Sequence, residues 1–189
     1  MPEHVILFTG PMGAGKTTAI QSLSEIEVVR TEANNSERHI VDKETTTVAL
    51  DYGEILVDKD EKVRLYGIPG QQRFNFMWNI LKQRAKGMIL LVNSDAPDPI
   101  AEMNFFLDEF RELYDRGGVI IGVTRSDVVA GPTLNEFAEA LERTNPDLVI
   151  PVFTVDPRNR DQMQNVLLSL IVNIEMRAAF GMMTATGTT

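Results

Sequence analysis

The stretch that decides the fold is GPMGAGKT, Gly10–Thr17, which follows the apolar run HVILFT at residues 4–9. It matches the pattern G-x-x-x-x-G-K-[ST], in which glycines let successive main-chain N–H groups turn inward towards an anion. A helical pattern begins at Lys16, and a helix N-terminus adds a dipole that favours negative charge. A strand, a glycine-rich loop and a helix in this order predict a phosphate-binding loop rather than a chance turn.

The polar groups of this loop have predicted roles towards a nucleoside triphosphate. Lys16 is expected to reach the β- and γ-phosphate oxygens, and the Thr17 hydroxyl is expected to bind Mg²⁺. The residues expected to contact phosphate are Gly10, Gly13, Ala14, Gly15, Lys16, Thr17, Thr18 and, further along the chain, Gly70.

Strand-like runs alternate with helical patterns along the rest of the chain. This alternation predicts an α/β domain with a mainly parallel central sheet of about six strands and helices on both faces. The runs at 46–57 and 62–68 are joined by a short acidic turn, which predicts one antiparallel pair. A helix with an apolar stripe is expected from Asp98, an N-cap residue followed by proline, to Gly117. Thr133 and Glu136 form a capping-box pattern for the next helix.

Composition narrows the class of protein. The 189 residues include 43% apolar and 24% charged residues, no cysteine, and a formal net charge of −9. One domain is expected over 1–180, with a flexible Thr/Gly/Ala-rich tail at 181–189. The lack of cysteine excludes thiol chemistry and prenyl or palmitoyl anchors, and no apolar run is long enough for a transmembrane segment. The acidic balance disfavours nucleic acid as a partner, and we expect a cytoplasmic protein.

The segment GVTRSD, Gly122–Asp127, follows a strand-like run at the sheet edge where open α/β folds hold ligands. It resembles the guanine-reading pattern [NT]-K-x-D, which places Thr124, Arg125 and Asp127 in the base site. A carboxylate here can accept bonds from both N1–H and the exocyclic amine of guanine, a pair that adenine lacks. Arg125 can lay its stem or guanidinium over the base plane, a role that lysine shares imperfectly. The other reading of Asp127 is an ordinary turn or N-cap acid.

With these elements in this order, residues 3–178 resemble a Ras-like small GTPase of the P-loop NTPase fold. The segments TTTVALDYG (45–53) and GIPGQQRFNFMW (67–78) are similar to the prokaryotic small GTPases that work with Roadblock/LC7 partner proteins in polarity and signalling. The resemblance implies GTP and GDP as ligands, Mg²⁺ as cofactor, and a Roadblock/LC7-type or other regulator at the switch regions. It also implies a base contact at Val155 and Asp156. The alternative is a simple turn, since Thr154 and Asp156 are good turn residues before Pro157.

The resemblance also assigns the two switches. A first-switch threonine closes over Mg²⁺ and the γ-phosphate, with Thr47 favoured and Thr46 as the alternative. In the second switch, the Gly70 N–H approaches the γ-phosphate and Gln71 orients the attacking water, with Gln72 as the alternative. The residues expected to be catalytic are therefore Gln71, Lys16 and Thr47, and those expected to bind the metal are Thr17 and Thr47.

Gly67 stands where the resembled pattern has the aspartate that supports Mg²⁺. Because Mg²⁺ keeps several waters and uses phosphate oxygens, Thr17 and a switch threonine are expected to hold it in a weakened but usable site. Asp51 or Asp95, acting through water, could assist. The arginines near the switches that could supply a finger in cis are Arg30, Arg38 and Arg73, although a partner or a second copy is the favoured source.

Three functions remain open from the sequence. The preferred one is a regulatory GTPase with slow intrinsic hydrolysis. The second is a nucleotide-binding scaffold that does not hydrolyse GTP, which the glycine at position 67 suggests. The third is an ATP-dependent kinase built on the same phosphate loop.

Overall fold

A computed structural model describes residues 4–33, 48–58, 61–116, 118–128, 130–146 and 149–185. Within these ranges the sheet has seven strands. They are β1 His4–Thr9, β2 Val29–Ala33, β3 Val48–Asp58, β4 Glu61–Gly67, β5 Gly87–Asn93, β6 Gly118–Thr124 and β7 Val152–Thr154.

The strands lie in the order β2-β3-β4-β1-β5-β6-β7. β4, β1, β5, β6 and β7 are mutually parallel, whereas β3 runs antiparallel to both β2 and β4. The predicted α/β class with a mainly parallel sheet is confirmed. The sequence predicted about six strands and one antiparallel pair, and β2 adds a second antiparallel pairing at the sheet edge.

Six helices occur in the described part of the chain. They are α1 Lys16–Leu23, α2 Asn75–Arg84, α3 Pro99–Glu109, α4 Arg111–Arg116, α5 Leu134–Thr144 and α6 Arg160–Ala185. The helix predicted from Asp98 to Gly117 is instead two helices that meet at Phe110, and Gly117 lies outside the described residues. α6 continues past Gly181, where the tail was expected to begin.

Two helix starts follow the predicted capping chemistry. The Asp98 carboxylate accepts a hydrogen bond from the Ala101 N–H at 2.9 Å. Thr133 accepts from the Glu136 N–H while the Glu136 carboxylate accepts from the Thr133 N–H, so the capping box is confirmed. These bonds satisfy N–H groups that a helix start leaves without intrahelical partners.

The sheet is covered on both faces, and this explains why β5 and β6 are buried along their whole length. α1 and α6 pack on one face through residues such as Ile20 and Leu167. α2 to α5 pack on the other face around Trp78, whose ring centroid is 5.4 Å from that of Phe110. Among the described helices, none has both the length and the hydrophobicity needed to cross a bilayer.

Candidate nucleotide site

The glycine-rich loop between β1 and α1 has the backbone that its sequence predicts. Gly10 has φ 132° and Gly15 has φ 91°, values that side chains of L-residues rarely adopt. A Cβ at Gly10 would lie 2.0 Å from the Leu91 carbonyl oxygen, and one at Gly15 would lie 2.7 Å from Cγ of Pro157. The loop therefore requires glycine at both positions.

Lys16 folds back over this loop. Its Nζ donates to the carbonyl oxygens of Gly10 at 2.8 Å and of Pro11 at 2.6 Å. Burial lowers the pKa of the Lys16 ammonium to about 8, and the nearby Asp51 carboxylate partly offsets this effect. A poorly solvated cation at the mouth of an anion-binding loop gains from a phosphate group that takes the place of water.

Asp51 supplies the carboxylate that position 67 lacks. The β3–β4 register sets Asp51 opposite Gly67, and the Thr17 hydroxyl donates to the Asp51 carboxylate. A Cβ on Gly67 would lie 3.1 Å from Cβ of Asp51 and 2.8 Å from Cδ1 of Ile20, so this space is already taken. Of the two acids that the sequence offered as helpers, the structure brings Asp51 to Thr17.

A hydroxyl and a carboxylate side by side fit the needs of Mg²⁺. This ion commonly takes one or two carboxylates and completes its octahedral shell with water and phosphate oxygens. The described residues contain no cluster of three or more acidic, histidine or cysteine side chains that would hold a metal alone. Thr17 and Asp51 can therefore hold Mg²⁺ together with a bound nucleotide, whereas Thr45, Thr46 and Thr47 lie outside the described residues.

Lys16, Thr17 and Asp51 line a cavity of about 350 Å³ that the segment after β4 closes. Gly70 and Gln71 form part of its wall, as the second-switch prediction requires. The Gln71 Nε2 contacts the sulfur of Met12 at 3.5 Å, a weak acceptor.

Among the arginines near the switches, Arg73 also lines this cavity, and its guanidinium carbon lies 4.8 Å from the Phe74 ring centroid. Arg38 and the side chain of Arg30 fall outside the description.

A second cavity of about 400 Å³ adjoins the first at Gly13. It joins the predicted phosphate contacts to the predicted base contacts. Its walls include Gly13, Ala14, Gly15 and Thr18 from the loop and α1, and Thr124, Arg125, Asp127, Val155 and Asp156 from the ends of β6 and β7. The structure thus brings the two halves of the predicted nucleotide site into one continuous space.

Arg125 links these halves directly. It has φ 60°, and its guanidinium donates to the Asp95 carboxylate at 3.0 Å and to the Gly13 carbonyl at 3.2 Å. Asp95 is therefore an anchor for Arg125 and lines the second cavity, whereas Thr17 lines the first. Thr124 is buried at the cavity wall, and its hydroxyl donates to Asn93 Oδ1 at 3.2 Å, so it ties the ends of β5 and β6 together.

The segment after β7 uses its main-chain donors within the protein. The Val155 N–H donates to the Val123 carbonyl at 2.9 Å, and the Asp156 N–H donates to Gln162 Oε1 at 2.8 Å. The Asp156 carboxylate binds the guanidinium of Arg158. Both predicted residues lie at the cavity, but a main-chain contact with a base would require one of these hydrogen bonds to open.

Sequence reasoning missed Arg158 and Met12, and it left Asp51 unresolved. The signal for Asp51 was available, because an antiparallel pairing of residues 46–57 with 62–68 sets its position against Gly67. Arg158 follows the last strand by a few residues, and no motif marks it. Its position depends on the turn at Pro157.

Comparison with known proteins supports a nucleotide-binding role. The chain is 25% identical over 168 residues to an uncharacterized protein of Methanocaldococcus jannaschii, covering 88% of this chain and 96% of that protein. A family model described as "Conserved hypothetical ATP binding protein" matches residues 26–145, which include Asp51, Gln71 and Asp127 but not the glycine-rich loop. The chain belongs to this family of conserved hypothetical ATP-binding proteins.

Proposed function

We propose that this protein is a guanine-nucleotide switch of the P-loop small-GTPase type, which binds GTP and GDP with Mg²⁺ and hydrolyses GTP slowly. One observation carries the proposal. Asp127 and Arg125 lie in the same cavity as the phosphate loop, and Arg125 bonds to that loop at Gly13. One nucleotide can therefore touch the phosphate loop and the Asp127 carboxylate at once.

The choice of guanine follows from hydrogen-bond chemistry. A carboxylate only accepts hydrogen bonds, and guanine offers it two adjacent donors on one edge. Adenine has an unprotonated N1 beside its amine and would leave one carboxylate oxygen without a partner, at a cost that can give roughly 10⁴-fold discrimination. The family description favours adenine nucleotides, so ATP binding is the second candidate.

Hydrolysis would be an in-line attack of water on the γ-phosphorus. The bond to the β–γ bridging oxygen breaks, GDP leaves with the electron pair, and the proton of the water passes to the phosphate product. Lys16 stabilises the negative charge on the β- and γ-oxygens, and Gln71 holds the water in line. A bound Mg²⁺, held by Thr17 and Asp51, would add further neutralisation of that charge.

The segment after β4 is placed to respond to the presence or absence of a γ-phosphate. Gly70 lies so close to the phosphate loop that a Cβ there would be 2.1 Å from the Gly10 carbonyl oxygen. The Pro69 carbonyl accepts a hydrogen bond from Trp78 Nε1 at 2.9 Å, which ties this segment to α2. Gain or loss of a phosphate beside Gly70 would shift α2, and a Roadblock/LC7-type or similar regulator would read that change.

Single-turnover assays test the proposal against its rivals. With Mg²⁺ and GTP, phosphate release is expected at a rate of the order of 10⁻⁴–10⁻³ per second. Tight GTP binding with no phosphate release, alone or with a regulator, would identify a scaffold instead. Transfer of phosphate from ATP to an acceptor, unaffected by Asp127→Ala, would identify a kinase.

A further inference from the structure

The segment that follows β7 at the base site offers no free main-chain donor for a purine carbonyl within the described residues. Guanine presents two donors and one acceptor, O6, on its pairing edge, and Asp127 can satisfy only the donors. After β7, the N–H groups of Val155 and Asp156 are engaged, and Pro157 has none. The next donor, the Arg158 N–H, bonds to the Asp156 carboxylate at 2.9 Å.

The side chain of Arg158 offers the missing donor. Asp156 holds its guanidinium through Nε at 2.9 Å and Nη2 at 2.8 Å. Within the described residues, no group accepts a hydrogen bond from Arg158 Nη1. The side chain lines the same cavity as Asp127 and is 76% exposed, so a ligand can reach it.

Charge also favours the pairing of these two residues around one base. Asp127 lies close enough to Arg158 for its negative charge to act on the guanidinium. A carboxylate and a guanidinium that line the same cavity are complementary to the donor and acceptor groups of the guanine edge. Arginine is a frequent donor to O6 of guanine in other recognition settings, whereas the amine of adenine at the same position would repel it.

We propose that Arg158 is a specificity-determining residue that donates to O6 of guanine, and that Asp156 positions it. This assignment rests on the proposed function and extends it. In this assignment the role of Asp156 is indirect, because its carboxylate holds the Arg158 guanidinium in place and does not touch the base. Base discrimination then depends on two side chains, Asp127 after β6 and Arg158 after β7.

The test compares three nucleoside diphosphates by competition against a fluorescent GDP, so that weak ligands stay measurable. Inosine diphosphate keeps O6 but lacks the amine, and 2-aminopurine riboside diphosphate keeps the amine but lacks O6. Arg158→Gln is expected to weaken GDP and inosine diphosphate about 10- to 100-fold and to change 2-aminopurine binding less than about twofold. Arg158→Lys keeps the positive charge but not the planar guanidinium. It should therefore lose most of the preference for the two bases that carry O6.

The matched control is Arg143→Gln on α5, which lies outside the cavity and should leave all three affinities unchanged. An equal loss for all three ligands would overturn the assignment, because it would mean that Arg158 acts through general charge or folding. Unchanged GDP affinity in Arg158→Gln would also overturn it. If the unaltered protein binds GDP no better than ADP, the proposed function itself fails, whatever the Arg158 variants do.

Discussion

The carboxylate of Asp51 accepts a hydrogen bond from the Thr17 hydroxyl, and Asp51 lies directly across the β3–β4 ladder from Gly67. A carboxylate therefore reaches Thr17 from β3, the antiparallel neighbour of the strand that ends at Gly67. Gly67 leaves room for it, because a side chain there would press on Asp51 and Ile20. The absence of a side chain at position 67 therefore makes room for the Asp51 carboxylate.

Asp51→Asn is expected to weaken Mg²⁺-dependent nucleotide binding about 10- to 100-fold, the range typical of groups that support a metal. The affinity is measured by titrating Mg²⁺ at fixed nucleotide. Glu54→Gln is the matched control, since Glu54 lies on the same strand as Asp51 but pairs with Lys62 of β4. The exchange variant Asp51→Gly with Gly67→Asp should recover part of the loss, and equal Mg²⁺ dependence in all variants would refute this role.

Gln71→Leu is expected to slow single-turnover GTP hydrolysis about 10²-fold, the low end for a positioned catalytic group, with little change in GTP affinity. The reason is that leucine cannot orient water in the cavity that Gln71 shares with Lys16. Gln72→Leu is the control, because it tests whether the neighbouring glutamine holds the water instead. A drop in rate confined to Gln72→Leu would move the role by one residue, and no drop in either variant would remove it.

The indole of Trp78 should report the nucleotide state without labelling. It is the single tryptophan of the chain, it is buried, and its N–H donates to the Pro69 carbonyl beside Gly70. Loss of a γ-phosphate contact at Gly70 is expected to disturb this bond and to shift the emission. Emission spectra with GDP and with a non-hydrolysable GTP analogue check this, and identical spectra would argue against movement of the segment.

The α5 capping box predicts a pH-dependent contribution to folding. Thr133→Ala is expected to lower the free energy of unfolding by about 1 kcal/mol. Bonds from the main-chain N–H and hydroxyl of Thr133 lower the pKa of Glu136 below its ordinary value. Because the folded pKa is lowered, this stabilisation is present above the unfolded pKa, about 4.3, and is lost as pH falls through the folded pKa.

Urea unfolding of the unaltered protein and of Glu136→Gln across this pH range measures the effect. The two free energies of unfolding are expected to differ at neutral pH and to converge in acid. Glu139→Gln on the same helix serves as the control, since Glu139 has no part in the cap. A difference that stays constant with pH would show that the Glu136 carboxylate adds nothing to the cap.

The sequence predicted the parts of the fold that local patterns determine. The phosphate loop, the strand before it and both helix caps follow from glycine placement, apolar runs and capping residues, each of which acts over a few residues. β2, Val29–Ala33, was missed because its five residues, VRTEA, are too few and too polar to give a strand pattern in the sequence. The break at Phe110 was missed because the apolar stripe continues through it.

The site was predictable where a motif fixes it and not where tertiary contacts do. Lys16, Thr17 and Asp127 could be named as site residues because each occupies a fixed position in a short sequence motif. The engagement of the Asp156 N–H by Gln162 depends on how α6 packs beside the last strand, and short-range patterns do not encode that. The hydrogen bond from Thr17 to Asp51 likewise requires the strand register.

Equilibrium binding of GDP and ADP to the same preparation, with Mg²⁺ and with the Asp127→Asn variant beside it, tests the central claim most directly. GDP is expected to bind at least about 10³-fold more tightly than ADP. Asp127→Asn is expected to lose affinity for guanine nucleotides and to gain affinity for xanthine nucleotides, because the xanthine C2 carbonyl accepts a hydrogen bond from the new amide. ADP bound as tightly as GDP, with Asp127→Asn leaving that ratio unchanged, would contradict it.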